Sequence, residues 1–432
     1  MARRESSSAM RRRTFLKTAA AGAAGLALGG ALPSRAPAQA RKQTVTIWSH
    51  FAGKNFETFQ RYVSEFQQAQ PDIEVKATSY GALEILPKYL AAVAGGAPPD
   101  VFHAPGYVPP DLAFNKVIAP WDELVKVDPT TYKNFEPITV YDGRRYGIPV
   151  NGGLAVMLYN LELFEKAGLD PAKPPETWDD LIAAAKKMTN PAESQWGLVL
   201  GNQPGTATTQ MYYTFLLSAG GELLTPDGKS IAFNSDPGLE ALTFLADNVH
   251  KHKVSPQKGY SEVQIYGEWG TRKFGATTLY PVWSGNILAT KVRSATRLIP
   301  RKVKQATHLA GNYWTLSTLS KNKEATAKFC QWWVQPAISG RWAGETGGIP
   351  NSQAAADHPD FKKFLAQNPL GQTFLDAMPI ARPFPGVVGV PAVIQIVSEM
   401  VEQAVVAGVP PKEALAKAAV RADQELKRAQ KA

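Results

Sequence analysis

The sequence predicts a two-part α/β chain, and three observations carry that expectation. Strand-like alternation and helical periodicity take turns from residue 43 to residue 103, the signal of βαβ units. The same alternation resumes beyond Tyr146, after the Gly152-Gly153 pair. The about 390 residues that follow the first forty exceed what one core comfortably organises, so two lobes are expected.

In chain order, residues 43–48 alternate like a first strand and residues 55–68 carry an amphipathic helical pattern. Residues 73–77 alternate again, residues 83–94 are helical, and Gly95-Gly96 ends that helix. Pro98-Pro99-Asp100 then leads into a short strand at His103. Strands connected through helices pair in parallel with right-handed crossovers. Such sheets bind ligands beyond the carboxyl ends of their strands, which places residues 48–51, Ser79, Tyr80 and residues 103–107 on one rim.

Residues 146–181 are the most informative stretch. A strand leaves the first unit, Gly152-Gly153 breaks it, a second apolar strand runs to Asn160, and a short helix is stopped by Gly168. Thr177 is the expected N-cap of the next helix, with Asp179 and Asp180 in its first turn, where carboxylates suit the helix dipole. The second unit repeats the logic. Residues 196–200 read as a strand, residues 201–209 as a polar loop opening a helix over 210–219, and residues 239–250 as another helix. Residues 274–280 form a strand running into Pro281-Val282-Trp283-Ser284-Gly285. A third crossing between the units is placed at residues 311–314, before a helix over 323–334. Residues 391–431 read as two amphipathic helices split near Gly408-Val409-Pro410-Pro411.

The first forty residues read as an address. Arg11-Arg12-Arg13-Thr14-Phe15-Leu16-Lys17 precedes a mild Ala/Gly/Leu run, and Ala38-Gln39-Ala40 offers small residues for cleavage. Paired arginines followed by Phe-Leu-Lys look like a twin-arginine export signal, with an ordinary secretory leader as the alternative. No cysteine follows at the cleavage point, so no lipid anchor is expected, and export to a periplasm is. The lone Cys330 reads as a buried small hydrophobe. The formal charge of +10 falls to +4 for residues 41–432, because the first forty hold six Arg and one Lys against Glu5. Without a clustered basic face, no nucleic-acid partner is expected.

Several pieces in shared order resemble the extracellular solute-binding proteins of ABC importers, the family 1 carbohydrate-binding group that includes maltose-binding protein. They are Glu65-Phe66 with Pro71-Asp72-Ile73, Gly95-Gly96-Ala97-Pro98-Pro99-Asp100-Val101, Ser218-Ala219-Gly220-Gly221-Glu222-Leu223, Ala241-Leu242 with Phe244-Leu245, and Thr346-Gly347-Gly348-Ile349-Pro350. With residues 146–181 they span nearly all of 43–425. The resemblance implies an α/β, type II periplasmic binding protein fold, parallel-sheet lobes joined by a multi-strand hinge that closes on a ligand. It implies an N-terminal lobe of residues 41–150 plus 312–376 and a C-terminal lobe of 151–311 plus 377–432. Hinges are expected near 150–152, 311–313 and 376–380. Function follows as a monomeric receptor that captures a sugar or polyol and delivers it to membrane permease subunits, without metal or cofactor. Two departures bear on the ligand. Ala276-Thr277 replaces the usual aliphatic-methionine pair, and Tyr107 and Gly153 stand where maltose-type sites place acids. A carbohydrate other than maltodextrin is therefore expected.

Sugars are recognised by aromatic faces against C–H surfaces and by planar polar groups on paired hydroxyls. On that chemistry the candidate ligand contacts are Phe51, Tyr80, Tyr107, Asn151, Trp283, Asn312, Tyr313, Trp314 and Arg382. Trp269, near the same turns, is a further one, whereas Trp332, Trp333 and Trp342 follow helical spacing and read as core. Plainer readings stand beside these. Trp314 packs between lobes, the asparagines cap broken backbone, and Arg382 pairs with an acid instead of clamping a carboxylate or phosphate. Residues 201–206 present backbone N–H groups to a ligand or only cap a helix. Glycerol-phosphate binders of the group place an arginine in the stretch that reads Gly386-Val387-Val388-Gly389 here, which carries no charge.

Two alternatives complete the expectations. An anionic solute such as glycerol phosphate or an organic acid is kept in view by the residual positive charge and Arg382. A periplasmic glycan-acting enzyme lacks its chemistry. The sequence has no His-Glu-x-x-His, Gly-x-Ser-x-Gly or Walker A pattern. No carboxylates at strand ends face each other over the about 5–10 Å that glycosidases use. His250 and His252 are two apart, diverge on a helix and cannot chelate jointly.

Overall fold

The computed structural model describes residues 42–82 and 84–431. The export signal lies outside them, as does Leu83, the first residue of the second expected helix. Strands β1 (Gln43–Ser49) and β2 (Ile73–Ser79) pair in parallel from Gln43↔Ile73 to Ser49↔Ser79. Strand β3 (Val101–Pro105) lies parallel on the other side of β1. Helices α1 (Gly53–Ala69) and α2 (Ile85–Ala94) supply the crossovers. Phe59, Tyr62, Val63 and Phe66 of α1 are buried, the three-and-four spacing that one apolar face requires.

The strand Thr307–Ser317 organises the centre of the molecule. It runs antiparallel to β3 and to the strand Ile148–Leu154, and parallel to Ala381–Arg382. Gly152 and Gly153 do not break their strand, because both stay in this ladder opposite Gly311 and Ala310. Glycine at 152 serves close approach: a Cβ there would sit 3.0 Å from the Phe135 ring.

The second sheet corrects the expectation of two parallel-sheet lobes. Val156–Asn160 lies between Ala276–Leu279 and Ser294–Arg297 and is antiparallel to both. The expected strand over 196–200 runs alongside, with Trp196 N–H donating to the Lys273 carbonyl at 2.8 Å and Val199 N–H to Ala276 at 3.0 Å. It forms only one bridge, Trp196 with Phe274, because Leu198 N–H turns away to the Val254 carbonyl. Gly197 meanwhile presses on a helix so closely that a Cβ would meet the Ala185 oxygen at 1.9 Å.

That helix, Trp178–Met188, starts as expected. Thr177 Oγ1 accepts the Asp180 N–H, and the Asp180 carboxylate accepts the Thr177 N–H in return, a reciprocal capping box. The helix Thr206–Ser218 begins earlier than its sequence pattern suggests, since Thr208 and Thr209 are buried and Thr209 Oγ1 bonds the Ile394 carbonyl. The tail forms Val390–Val405 and Pro411–Lys431, packed on that helix and on Asp236–His250.

One core surrounds α1 and β1 and holds Trp121, Trp314, Trp333, Trp342 and the buried Cys330. Another joins Trp178 and Phe215 to the tail helices. A third, built on Phe135, Leu309, Tyr313 and Trp269, lies where the crossing strands meet. No described helix is long and apolar enough to cross a membrane.

Candidate ligand-binding cleft

A cavity of about 220 Å³ opens where Ile148–Leu154 and Thr307–Ser317 cross. Its floor is backbone-rich, because Asn151, Gly152 and Gly153 face Asn312, Gly311 and Ala310 in register. The pairing slips between Asn312 and Tyr313, and an irregularity of this kind re-aims the side chains around it. Tyr107, just beyond β3, supplies one wall. Trp283, Tyr280, Gln210, Glu262, His308 and Phe384 supply the others.

The lining contains no Lys or Arg. Burial drives the His308 imidazole down to about 3, so the ring is neutral at neutral pH. Burial raises the Glu262 carboxyl to about 7 and holds the Tyr280 hydroxyl well above its ordinary range. The Tyr280 hydroxyl, both His308 ring nitrogens and Asn151 Oδ1 are buried with no hydrogen-bond partner among the described residues. Buried polar groups are ordinarily paired; these four atoms are closed off from solvent within the cavity wall.

Of the expected contacts, Tyr107, Asn151, Trp283 and Asn312 line this cavity. Trp283 is half-buried with its ring centroid 5.4 Å from that of Tyr266. The Thr206 hydroxyl donates to the Tyr107 hydroxyl at 3.4 Å. The remaining expected contacts fall elsewhere, each for a local reason. Phe51 is captured by Phe59 and Trp342, with ring centroids 5.2 and 4.7 Å away. Tyr313 and Trp314 are successive strand residues and face opposite sides. Trp314 enters the core of α1, where its carbonyl accepts the Trp121 indole N–H, and Tyr313 is fully buried against Phe135. Tyr80 meets Trp48 edge-on at 4.8 Å, with the Lys88 ammonium over its ring. Arg382 is exposed, alternating with the buried Ala381. Trp269 is fully buried and donates to Ser294 Oγ at 3.0 Å.

Residues 53–338 match the family described as bacterial extracellular solute-binding protein. The chain belongs to this family. Among its relatives, the sn-glycerol-3-phosphate-binding periplasmic protein UgpB of Yersinia pestis is 26% identical over 427 residues, covering 90% of this chain and 93% of that protein. A probable amino-acid ABC transporter periplasmic-binding protein of Sinorhizobium fredii, y4oP, is 25% identical over 224 residues, with 52% of this chain matching about half, 51%, of that one. The crystal structure of an ABC transporter solute-binding protein from Thermotoga lettingae, bound with α-D-tagatose, superimposes with a TM-score of 0.79 at 28% identity. That match covers 89% of this chain and all of the other, and its two-lobed architecture is the expected one.

The cleft of this solute-binding protein contains residues that reading the sequence missed: Gln210, Glu262, Tyr280, His308 and Phe384. One signal was available. Ser261-Glu262-Val263-Gln264 is a capping-box pattern, realised in the structure by Ser261 and Gln264, and it fixes Glu262 in a helix's first turn. Nothing local to His308 or Phe384 distinguishes them.

Proposed function

We propose that this chain is the substrate-capturing receptor of an ABC importer, and that it takes a neutral sugar or polyol of about monosaccharide size. The observation that carries the proposal is the lining of the cavity, where aromatic rings and amides stand together without a cation. The volume, about 220 Å³, is below the roughly 300–1,000 Å³ of drug-sized ligands and suits a single ring. A phosphate ester or an amino-acid carboxylate would meet the half-buried Glu262 carboxyl group and no guanidinium or ammonium, at a desolvation cost. The lining therefore favours the tagatose-bound neighbour over the glycerol-phosphate and amino-acid relatives as a guide to the ligand. The same reading has the protein exported by the twin-arginine route to a periplasm, unanchored and monomeric, with permease subunits as its partners. Its N-terminal lobe is residues 41–150 plus 312–376, and the remainder closes against it. No catalytic step is assigned.

Thermal-shift measurement against D-tagatose, other ketoses and aldoses, polyols, glycerol 3-phosphate and amino acids tests this. A ligand at 100 times its Kd adds about 2.7 kcal/mol of stability. Stabilisation by a neutral carbohydrate is expected. Stabilisation by phosphate esters or amino acids alone would overturn the assignment.

A further inference from the structure

The cavity contains a single charged side chain, Glu262, among its lining residues. The glycine at 201 leaves room for its stem, since a Cβ there would come within 3.0 Å of Glu262 Cγ. The cavity lining offers it no Lys or Arg, and burial is what raises its carboxyl. Two tyrosines sit within reach of its charge, Tyr266 and Tyr280, and burial together with Glu262 keeps both hydroxyls protonated. The Tyr266 hydroxyl already donates to the Thr278 carbonyl at 3.0 Å, so it does not compensate the carboxylate. His308, on the same cavity, stays neutral. Glu262 is half-buried, and once a ligand closes it off from water, hydroxyl donors of that ligand would supply charge-assisted bonds to its carboxylate.

We propose that Glu262 selects the ligand: its carboxylate accepts hydroxyl hydrogens of a neutral sugar or polyol, and its charge turns phosphate esters and carboxylates away. This rests on the carbohydrate reading above and adds the residue that enforces it. With the cleft held as it is here, burial raises the carboxyl to about 7, so both of its protonation states are within reach near neutral pH. Accepted hydrogen bonds favour the charged form, so binding releases a proton and tightens as pH rises. Tyr266, Tyr280 and His308 do not titrate between pH 6 and 8 and leave that response to Glu262.

The test is isothermal titration calorimetry on the wild type, Glu262→Gln and Glu262→Asp at pH 6 and pH 8, in two buffers of different ionisation heat. The probes are D-tagatose, D-fructose, D-glucose, sorbitol and glycerol 3-phosphate. The wild type is expected to bind one of the neutral probes about tenfold more tightly at pH 8 than at pH 6, with proton release and with no measurable binding of glycerol 3-phosphate. Glu262→Gln, isosteric and checked for folding by its melting curve, is expected to lose at least about tenfold in affinity at pH 8 and to show no pH dependence. Glu262→Asp is expected to keep the pH dependence with weaker binding. Equal sugar affinity in Glu262→Gln, or a pH-independent wild type, overturns the role of Glu262 while leaving the carbohydrate reading standing. Binding of glycerol 3-phosphate and of no neutral probe, or binding of no probe, overturns both.

Discussion

Trp283 sits on the stiff turn Pro281–Trp283 at the end of the strand Ala276–Leu279, half-buried, with one face on Tyr266 and the cavity beside it. An aromatic ring so placed can stack on a sugar face. Trp283→Ala is expected to cost about 1–3 kcal/mol of ligand affinity, by analogy with base–aromatic stacking. Trp314 supplies the contrast, because it is fully buried between Phe59, His103 and Trp333. Trp314→Ala is expected to remove about 3–5 kcal/mol of stability. Chemical denaturation of both variants, beside ligand titration of the Trp283 variant, measures the pair. A Trp283 variant that loses stability like the Trp314 variant and binds like wild type would place Trp283 in the core.

At the scale of elements, the helix Trp178–Met188 depends on its first turn. Thr177 bonds Asp180 through both the hydroxyl and the amide, and the turn also presents Asp179 to the helix dipole. Thr177→Ala is expected to lower stability by about 1 kcal/mol, read as a shift in the urea midpoint with unchanged slope. Thr177→Ser should retain most of that stability. The same helix carries Ala185, whose carbonyl occupies the space a side chain at residue 197 would need. Cap and glycine together hold the second sheet against its helix.

For the whole molecule, two contacts bridge the segment after β3 and distant parts of the chain. Tyr107 meets Thr206, and the Asp111 carboxylate accepts the Gly389 N–H at 3.1 Å. Both would break if the cleft opened about the crossing strands. Small-angle scattering is therefore expected to show a smaller radius of gyration at saturating ligand than without it, and an unchanged value would count against hinge closure. Acid sensitivity also belongs to this scale. Burial pushes His308 to about 3 and His103 well below the ordinary imidazole value, further lowered by the adjacent His50. The unfolded chain therefore binds protons that the folded one cannot. The stability His308 contributes is present above pH about 6.5 and is lost progressively as pH falls toward 3. Between pH 7.5 and 5 the wild type is expected to lose about 2 kcal/mol more than His308→Gln. Denaturant titrations at the two pH values check it, and parallel losses in the two proteins would refute it.

The strands β1 to β3, their two helices, the Thr177 cap and the split tail were legible in the sequence, since each depends on neighbours a few residues away. Periodicity, a capping residue and glycine as a stop act locally and survive any arrangement of the rest. The order of those pieces also identified the family. What the sequence by itself did not determine was which side chains share the cavity. The alternation along Thr307–Ser317 shows that Tyr313 and Trp314 face apart, but only the packing of α1 and of Phe135 decides that neither faces the cleft. Phe51 was drawn inward by Phe59 and Trp342, from distant parts of the chain. Glu262, His308 and Phe384 converge because the crossing strands and the tail bring separate segments together. Burial then sets the protonation of Glu262 and His308, and with it the charge that a ligand meets. That field is a property of the assembled cavity, so it comes into being only with the tertiary structure.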